Sequence, residues 1–323
     1  MNICVLAHTI YHCDPRVRRE TECLAEIGAV IDVFCLREKD EKRFEVSGNI
    51  RIHRLFKFRK PKSAVTYFLH VIFFSIISFF YISFYQLKNR FDFVHVHSIP
   101  DFLVFAALVP KLFGATIVFD MHENMPELYM RKFDAAENSF IIRLIAYVEK
   151  LATMLADHVI VATPFIAEKI VQRSCSKDKI TTIINLPDTK HFMNHSLPAL
   201  ERNGKFRLIY PGTLSELHGI DIAIRAIKLI KDQSDIPVEF HIYGTGSEKE
   251  NLISLTQTLH LEDSVKFCRE VSIEKLVQIL RSMDVGVVPK RKGVFSDEAI
   301  STKLFEFAAV GLPTIVSRTR GDS

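Results

Sequence analysis

The chain has 323 residues, enough for two domains of ordinary size, and its 48% hydrophobic content can supply two cores. Its six cysteines, at positions 4, 13, 23, 35, 175 and 268, show neither metal-ligand nor C-x-x-C spacing, which excludes a cysteine-built metal site and fits a reduced cytoplasmic protein. Residues 2–6 read as a first strand with no basic segment before them, which excludes a secretory signal.

Apolar runs alternate with helical patterns along the whole chain, as parallel α/β layers require. Strands are predicted near 2–6, 30–35, 50–54, 92–96, 116–120, 158–162 and 181–184, then near 207–211, 238–243, 265–268, 285–288 and 313–316. Between the sets, residues 186–205 are polar, contain prolines and lack a clear period, so they read as a linker joining a domain 1–185 to a domain 206–323. Two doubly wound sheets gather ligands at their strand carboxyl ends, and the expectation is a cleft between two such domains.

The net charge of +4 is unevenly spread. Arg51 to Arg90 holds Arg51, Arg54, Lys57, Arg59, Lys60, Lys62, Lys88 and Arg90 with no acid, so the segment carries +8 and the remainder −4. Within it, Ala64 to Leu87 is 24 residues without a charge, rich in phenylalanine and tyrosine. That length could span a bilayer. Spanning would separate strands that belong to one sheet, and a fully buried helix would leave the basic flanks unexplained. The expectation is an interfacial helix held by an anionic membrane surface. The long uncharged aromatic run argues against nucleic acid as the partner of the basic residues.

Residues 297–317 set Glu298 and Glu306 around the start of a short helix that ends at Gly311-Leu312-Pro313. A helix N-terminus suits phosphate, and a carboxylate a turn or two along can accept hydrogen bonds from ribose hydroxyls. Gly212, followed by Thr213, and Gly219 flank a strand-to-helix turn where backbone N–H groups can approach a diphosphate; Gly244-Thr245-Gly246 is a second such turn. Lys290, Arg291, Lys292 and Lys303 are the nearest cations. On the other half, His97 ends one strand and His122-Glu123 follow the next, again at carboxyl ends. His8, Asp14 and Arg16 lie in the first loop, where Asp14 and Arg16 could equally cap the following helix.

The run Lys303-Leu304-Phe305-Glu306-Phe307-Ala308-Ala309-Val310-Gly311-Leu312-Pro313 resembles the E-x₇-E region of retaining glycosyltransferases of family 4. HTIYHCDPRVRRETECLAEIG, FDFVHVHSIPDFLVFAALVPKLFGA, FDMHENMPELY, IINLPDTKHF, YPGTLSELHGIDIAIRA and IYGTGSEKENL resemble further segments of that family in the same order, so the likeness covers nearly all of the chain. It implies an α/β GT-B fold of two Rossmann-like domains facing a cleft, the second incomplete at Ser323 because the family normally continues.

It implies transfer of a hexosyl unit, with retention, from a UDP- or GDP-sugar to a lipid-linked saccharide at the inner face of the cell membrane, as in polysaccharide biosynthesis. The histidine at the position of His97 or His122 would line the sugar site, and Glu123 could orient or deprotonate the acceptor. Glu298 is placed with these catalytic groups and Glu306 on the donor ribose. His8, Asp14 and Arg16 would approach the donor phosphates or, as acceptor-side residues, the acceptor. The family's phosphate-binding arginine and lysine are replaced by Thr213 and His218, so another cation, among Arg291, Lys292 and Lys303, is expected to compensate. No D-x-D triplet occurs, and neither a metal nor another cofactor is expected. Two rivals stay open: a nucleotide-sugar 2-epimerase of the same fold, and an inactive membrane-associated assembly partner.

Overall fold

The structure, a computed structural model, describes residues 1–57, 63–133, 135–192, 204–293 and 296–323. The chain forms two compact units, Met1–Ile184 and Asn185–Ser323. The first contains, in order, β1 (Asn2–Ile10), α1 (Pro15–Glu26), β2 (Val30–Arg37), β3 (Phe44–Ser47), β4 (Ile50–Lys57), α2 (Ala64–Asn89), β5 (Phe93–His97), α3 (Leu108–Leu112), β6 (Thr116–Met121), α4 (Met125–Phe133), α5 (Phe140–Leu155), β7 (His158–Val161), α6 (Pro164–Arg173) and β8 (Ile180–Thr182).

Its sheet runs β3-β4-β2-β1-β5-β6-β7-β8, parallel except for β3, which pairs antiparallel with β4. The sequence reading missed β3. Its four residues FEVS are all exposed, so no buried face imposes a pattern that a sequence could reveal. The inner strands are apolar on both faces, as helix-covered parallel strands must be: Cys4, Val5 and Leu6 of β1, and Val33 to Cys35 of β2, are wholly buried. The strand order reverses between β1 and β5, which are in register from Ile3↔Phe93 to Ala7↔His97. A doubly wound sheet opens its ligand crevice at such a point.

The long apolar helix α2 is the crossover from β4 to β5. It starts in a capping box, with Ser63 Oγ accepting from Thr66 N and Thr66 Oγ1 accepting from Ser63 N. Val71, Phe74, Ser78, Ile82 and Gln86 are buried at helical spacing. Phe74 and Ile82 enter the core made by β1, β2, β5 and β6. The opposite side, where a crossover helix normally carries polar residues, exposes Phe68, Leu69, Phe73, Ile76, Phe80, Phe84 and Leu87. The helix is long and apolar enough to cross a membrane by length and composition. Yet β1 before it and β5 after it are hydrogen-bonded neighbours, so it lies along a folded sheet with one stripe docked.

The basic segment needs a correction. Arg51 pairs with Asp32 at 2.5 Å, and Arg54 is buried against Glu41 at 2.9 Å and Glu45 at 2.8 Å, so acids outside the segment neutralise both. The remaining charge belongs to Lys57, Lys88 and Arg90, and to Arg59, Lys60 and Lys62, which lie outside the described residues. Lys88 sits over the Phe84 ring, 4.5 Å from its centroid.

The second unit contains α7 (Thr189–Phe192), β9 (Phe206–Pro211), α8 (Ile220–Gln233), β10 (Val238–Tyr243), α9 (Lys249–Thr258), β11 (Val265–Cys268), α10 (Ile273–Arg281), β12 (Val285–Val288), α11 (Thr302–Ala309) and β13 (Thr314–Val316). Its sheet, β11-β10-β9-β12-β13, is wholly parallel and reverses between β9 and β12. The predicted linker begins as α7, whose Phe192 is buried with Ile209, Val277, Leu280 and Phe307; most of the rest of 186–205 lies outside the described residues.

The two faces of α2 should respond differently to substitution. Phe74→Ala removes a fully buried ring and should cost about 3–5 kcal/mol, whereas Phe80→Ser should change stability by less than about 0.5 kcal/mol. Guanidinium unfolding of the two variants tests this, and equal losses would mean that the outer face is packed as well.

Candidate functional site

At the carboxyl end of the first sheet, side chains from α1, β5 and the residue just after β6 converge on one carboxylate of β6. Asp120, next to last in β6, has no solvent exposure. Arg16, in the first turn of α1, reaches it with both arms of the guanidinium, Nε to Oδ2 at 2.7 Å and Nη2 to Oδ1 at 2.8 Å. Asp14 accepts from the backbone N–H groups of Arg16 and Val17, and Pro15 opens the helix, which fixes the residue that must reach into the sheet. His97 Nδ1 lies 3.1 Å from Asp120 Oδ2 and 3.1 Å from His122 Nε2. Burial alone would push the Asp120 carboxyl up, but hydrogen bonds from His122 and His97 hold it well below the usual carboxylate range.

Two of the sequence expectations change here. Arg16 is 6% exposed and also donates to Ile183 O at 3.3 Å, so its guanidinium is an internal strut and faces no phosphate; Asp14 is a helix cap. His97 is 1% exposed, so of the two histidines expected at the sugar site it is the enclosed one, lying against His122. His122 retains 21% side-chain exposure. Next to it, Glu123 is pushed up to about 7 by burial, against the opposing pull of His122 and Arg131. His8, near the end of β1, is enclosed by Tyr67, His70 and Phe74 of α2, with Nε2 3.2 Å from His70 Nδ1, and burial lowers it to about 4.

Sequence reasoning missed Asp120, Glu20 and His95. Asp120 stands inside an apolar strand run, and that was the available signal: a carboxylate there has to be paired. Glu20 lies one helical turn beyond Arg16, with Oε1 3.1 Å from Arg16 Nε. Burial, then the Asp120 charge, raises Glu20 to about 7, while burial lowers His95 to about 3.

In the second unit the loops after β9 and β10 interlock. Gly212 N donates to Tyr243 O at 2.7 Å, Leu214 N to Thr245 O at 2.9 Å and Glu248 N to Leu214 O at 3.0 Å. A Cβ at Gly244 would stand 1.9 Å from Gly212 O, so the two strand ends touch only because the side chain is missing. Gly219 adopts φ 60 as the first residue before α8, and a Cβ there would meet Pro289 O at 2.1 Å, which brings α8 against the end of β12. Thr213 O accepts from Tyr210 Oη at 2.9 Å, and Gly246 backs directly on Leu214.

Lys303, in the first turn of α11, lies beside Gly212, with Nζ 5.1 Å from the Tyr210 ring centroid; burial lowers its pKa, opposed by Glu306 one turn on. Of the other cations, Lys290 is buried against Asp322 at 2.6 Å and Arg291 pairs with Asp221 at 2.6 Å and with Glu216 O at 3.1 Å, while Lys292 is exposed. Lys303 is therefore the sequence-predicted cation that the structure brings to Gly212, while Arg291 is tied by its partners to the loop between Gly212 and Gly219 and to the start of α8. Glu298 is 3.3 Å from Arg320, in the loop that Asp322 ties back through Ser301 N at 2.8 Å.

Glu123 gives a pH-dependent prediction. A carboxyl raised from about 4.5 to about 7 stays protonated in the folded state while the unfolded chain ionises, so its contribution is present below the lower value and lost as pH rises through the higher one. Glu123→Gln should therefore stabilise the protein at pH 8 by up to about 3 kcal/mol and change little at pH 4. Urea unfolding at both pH values measures it, and no gain at pH 8 would mean that the carboxyl is solvated.

Comparison with known proteins gives two sequence-family matches: residues 13–185 match the glycosyl transferase 4-like domain and residues 196–322 match the glycosyl transferases group 1. A D-inositol 3-phosphate glycosyltransferase of Arthrobacter sp. (strain FB24) is 29% identical over 121 residues, a stretch that is 36% of this chain and 28% of that protein. Among solved structures, sucrose-phosphate synthase from Thermosynechococcus elongatus superimposes with a TM-score of 0.74 at 19% identity, covering 99% of this chain and 82% of that one. Anabaena HepE in complex with UDP superimposes at 0.67 and 14% identity, with 99% and 82% coverage. The lipopolysaccharide outer core galactosyltransferase WaaB does so at 0.64 and 16%, with 99% and 81% coverage. The architecture is the GT-B fold, two parallel α/β units in succession, and with more than half of its length matching the glycosyl transferase 4-like domain the chain belongs to that glycosyltransferase family.

Proposed function

We propose that this protein transfers a hexosyl unit, with retention of configuration, from a UDP- or GDP-sugar to a lipid-linked saccharide on the cytoplasmic face of a membrane. The observation that carries the donor half is the interlocked pair of glycine loops at the end of β9 and β10, with Lys303 beside Gly212. Glycine turns without side chains, which let a ligand approach the backbone, and one ammonium at a strand-order reversal suit a diphosphate. In this reading Lys303 supplies the positive charge that Thr213 and His218 lack, and Glu306 accepts from the ribose hydroxyls. Glu298 lies at the sugar end, and the leaving diphosphate needs no metal. The UDP complex of the HepE neighbour supports the nucleotide assignment by analogy of fold.

For the acceptor half, Glu123 and His122 are the groups able to meet a hydroxyl, and Asp120 and His97 hold His122 from behind. His8 joins this end of the sheet to α2 through His70 and Tyr67. The exposed apolar face of α2 is continued by Leu112 and Phe113 at the end of α3 and by Phe140, Leu144 and Tyr147 of α5, all on the side of the sheet covered by these helices. An apolar surface flanked by Lys57, Lys88 and Arg90 suits the interface of an anionic leaflet, where a lipid-linked acceptor is held at the depth of the sheet's end.

The donor assignment is tested by nucleoside diphosphate release from a panel of UDP- and GDP-sugars, with and without a polyprenyl-diphosphate-linked saccharide. Release that depends on the acceptor is expected; release without any acceptor, or none with every sugar, overturns the reading. Glu306→Gln should weaken nucleotide binding about tenfold or more in calorimetry, since it removes charge-assisted hydrogen bonds worth roughly 1.5–3 kcal/mol each.

Membrane docking is tested with liposomes. Binding should require anionic lipid, weaken as salt is raised, and fall when Phe73, Phe80 and Phe84 are replaced together by serine. Binding to neutral vesicles that salt leaves unchanged, or none to anionic ones, would assign the apolar face to another partner.

A further inference from the structure

Behind the residues assigned to acceptor chemistry lies a second group, of which the transfer reaction uses only His97 and Asp120, to hold His122. His95 and His97 are two apart on β5, so both side chains fall on one face of the sheet, with ring centroids 4.2 Å apart. Glu20 comes over that face from α1. One ligating atom from each of Glu20, His95, His97 and Asp120 lies within 4.8 Å of every other. Three of the atoms in this cluster have no hydrogen-bond partner although they are buried: His95 Nε2, His97 Nε2 and Glu20 Oε2. His97 is 1% exposed and His95 7%. Unsatisfied buried lone pairs are costly and uncommon, and here they occur together.

The bonds around them narrow what could satisfy them. Arg16 already engages both oxygens of Asp120, so Asp120 is available mainly to orient its neighbours. His97 Nδ1 faces Asp120 Oδ2 at 3.1 Å; donating that proton to the carboxylate leaves a lone pair on Nε2, which is buried without a partner. A carboxylate holding the far nitrogen of a ligating imidazole is the usual outer shell of a metal-binding histidine. Glu20 divides its oxygens: Oε1 meets Arg16 at 3.1 Å, and Oε2 stands 3.6 Å from His95 Nε2, too long for a hydrogen bond and a span that an ion bonded to both atoms would bridge.

We propose that Glu20, His95 and His97 form a Zn²⁺ site within the first unit, with Asp120 and Arg16 as its outer shell. Two imidazoles and one carboxylate match zinc, and they match magnesium or calcium poorly, because those ions take oxygen ligands. One ligand carboxylate leaves a +1 charge at the ion, and the Asp120 carboxylate behind it is balanced by Arg16. Zinc bound here ties α1 to β5, one residue layer behind His122, and needs neither a nucleotide nor an acceptor.

The test is metal binding by the whole chain, freed of metal by chelation, followed by calorimetry with Zn²⁺ and by the visible spectrum with Co²⁺. One equivalent of Zn²⁺ should bind and raise the melting temperature, and Co²⁺ should give the d–d bands of nitrogen and oxygen ligation without a thiolate charge-transfer band. Glu20→Gln and His95→Gln, each checked for folding by circular dichroism, should weaken binding by about tenfold or more. Glu20 is only partly buried, so its variant serves if His95→Gln does not fold.

Cys13→Ser supplies the control, because the exposed His12, Cys13 and Glu38 form a second candidate group; it should leave binding unchanged. The proposal is overturned if the wild-type chain takes up no zinc, if Glu20→Gln binds as tightly as wild type, or if Cys13→Ser abolishes binding.

Discussion

The first unit depends on keeping one carboxylate ionised where there is no water. Asp120 could not remain charged at zero exposure without a partner of matching shape, and Arg16 meets both of its oxygens. That requirement sets the position of α1 on the sheet and, through the Arg16 contact to Ile183 O, holds the chain just beyond β8 to the loop after β1. It also decides how His97 and His122 stand, because both imidazoles point a nitrogen at the same carboxylate. The outer residues, His122 and Glu123, are then the ones left facing outward at this end of the sheet, and the inner ones hold His122 in place.

A different constraint shapes α2. A parallel crossover from β4 to β5 needs a helix that buries one stripe on the sheet, and the i, i+4 set Phe74, Ser78, Ile82 and Gln86, half of it apolar, provides it. The crossover itself makes no use of an apolar outer face. The exposed phenylalanines therefore carry a cost in solubility that a folded sheet does not demand, and exposed apolar residues of this kind mark an interaction surface. His8 and His70 connect that surface to the strand ends, so the surface and the candidate chemistry belong to the same end of one unit.

In the second unit the deciding feature is close backbone approach. Gly212, Gly244 and Gly219 each occupy a place where a Cβ would collide with a backbone oxygen or with Lys303, and the result is a pair of backbone loops closed on each other beside a lysine. Neighbouring cations that look equivalent in sequence are separated by their partners: Lys290 and Arg291 are taken by Asp322 and Asp221.

Much of this was legible in the sequence. Period and run length disclosed the parallel strands, because a strand buried on both faces must be apolar throughout, and the glycine turns and the Glu306 helix marked the strand ends where ligands gather. What the sequence could not disclose were pairings between distant residues. Arg16 and Asp120 are 104 positions apart, and Arg51 and Asp32 are 19. Whether an arginine faces a ligand or a buried aspartate depends on which strands become neighbours, and so does the meeting of Glu20 with His95 and His97. The two-sided character of α2 was hidden for the same reason. A helix apolar all round has no stripe to read, and only its contact with β1, β4 and the Asp101–Ala107 turn decides which phenylalanines are core and which face outward.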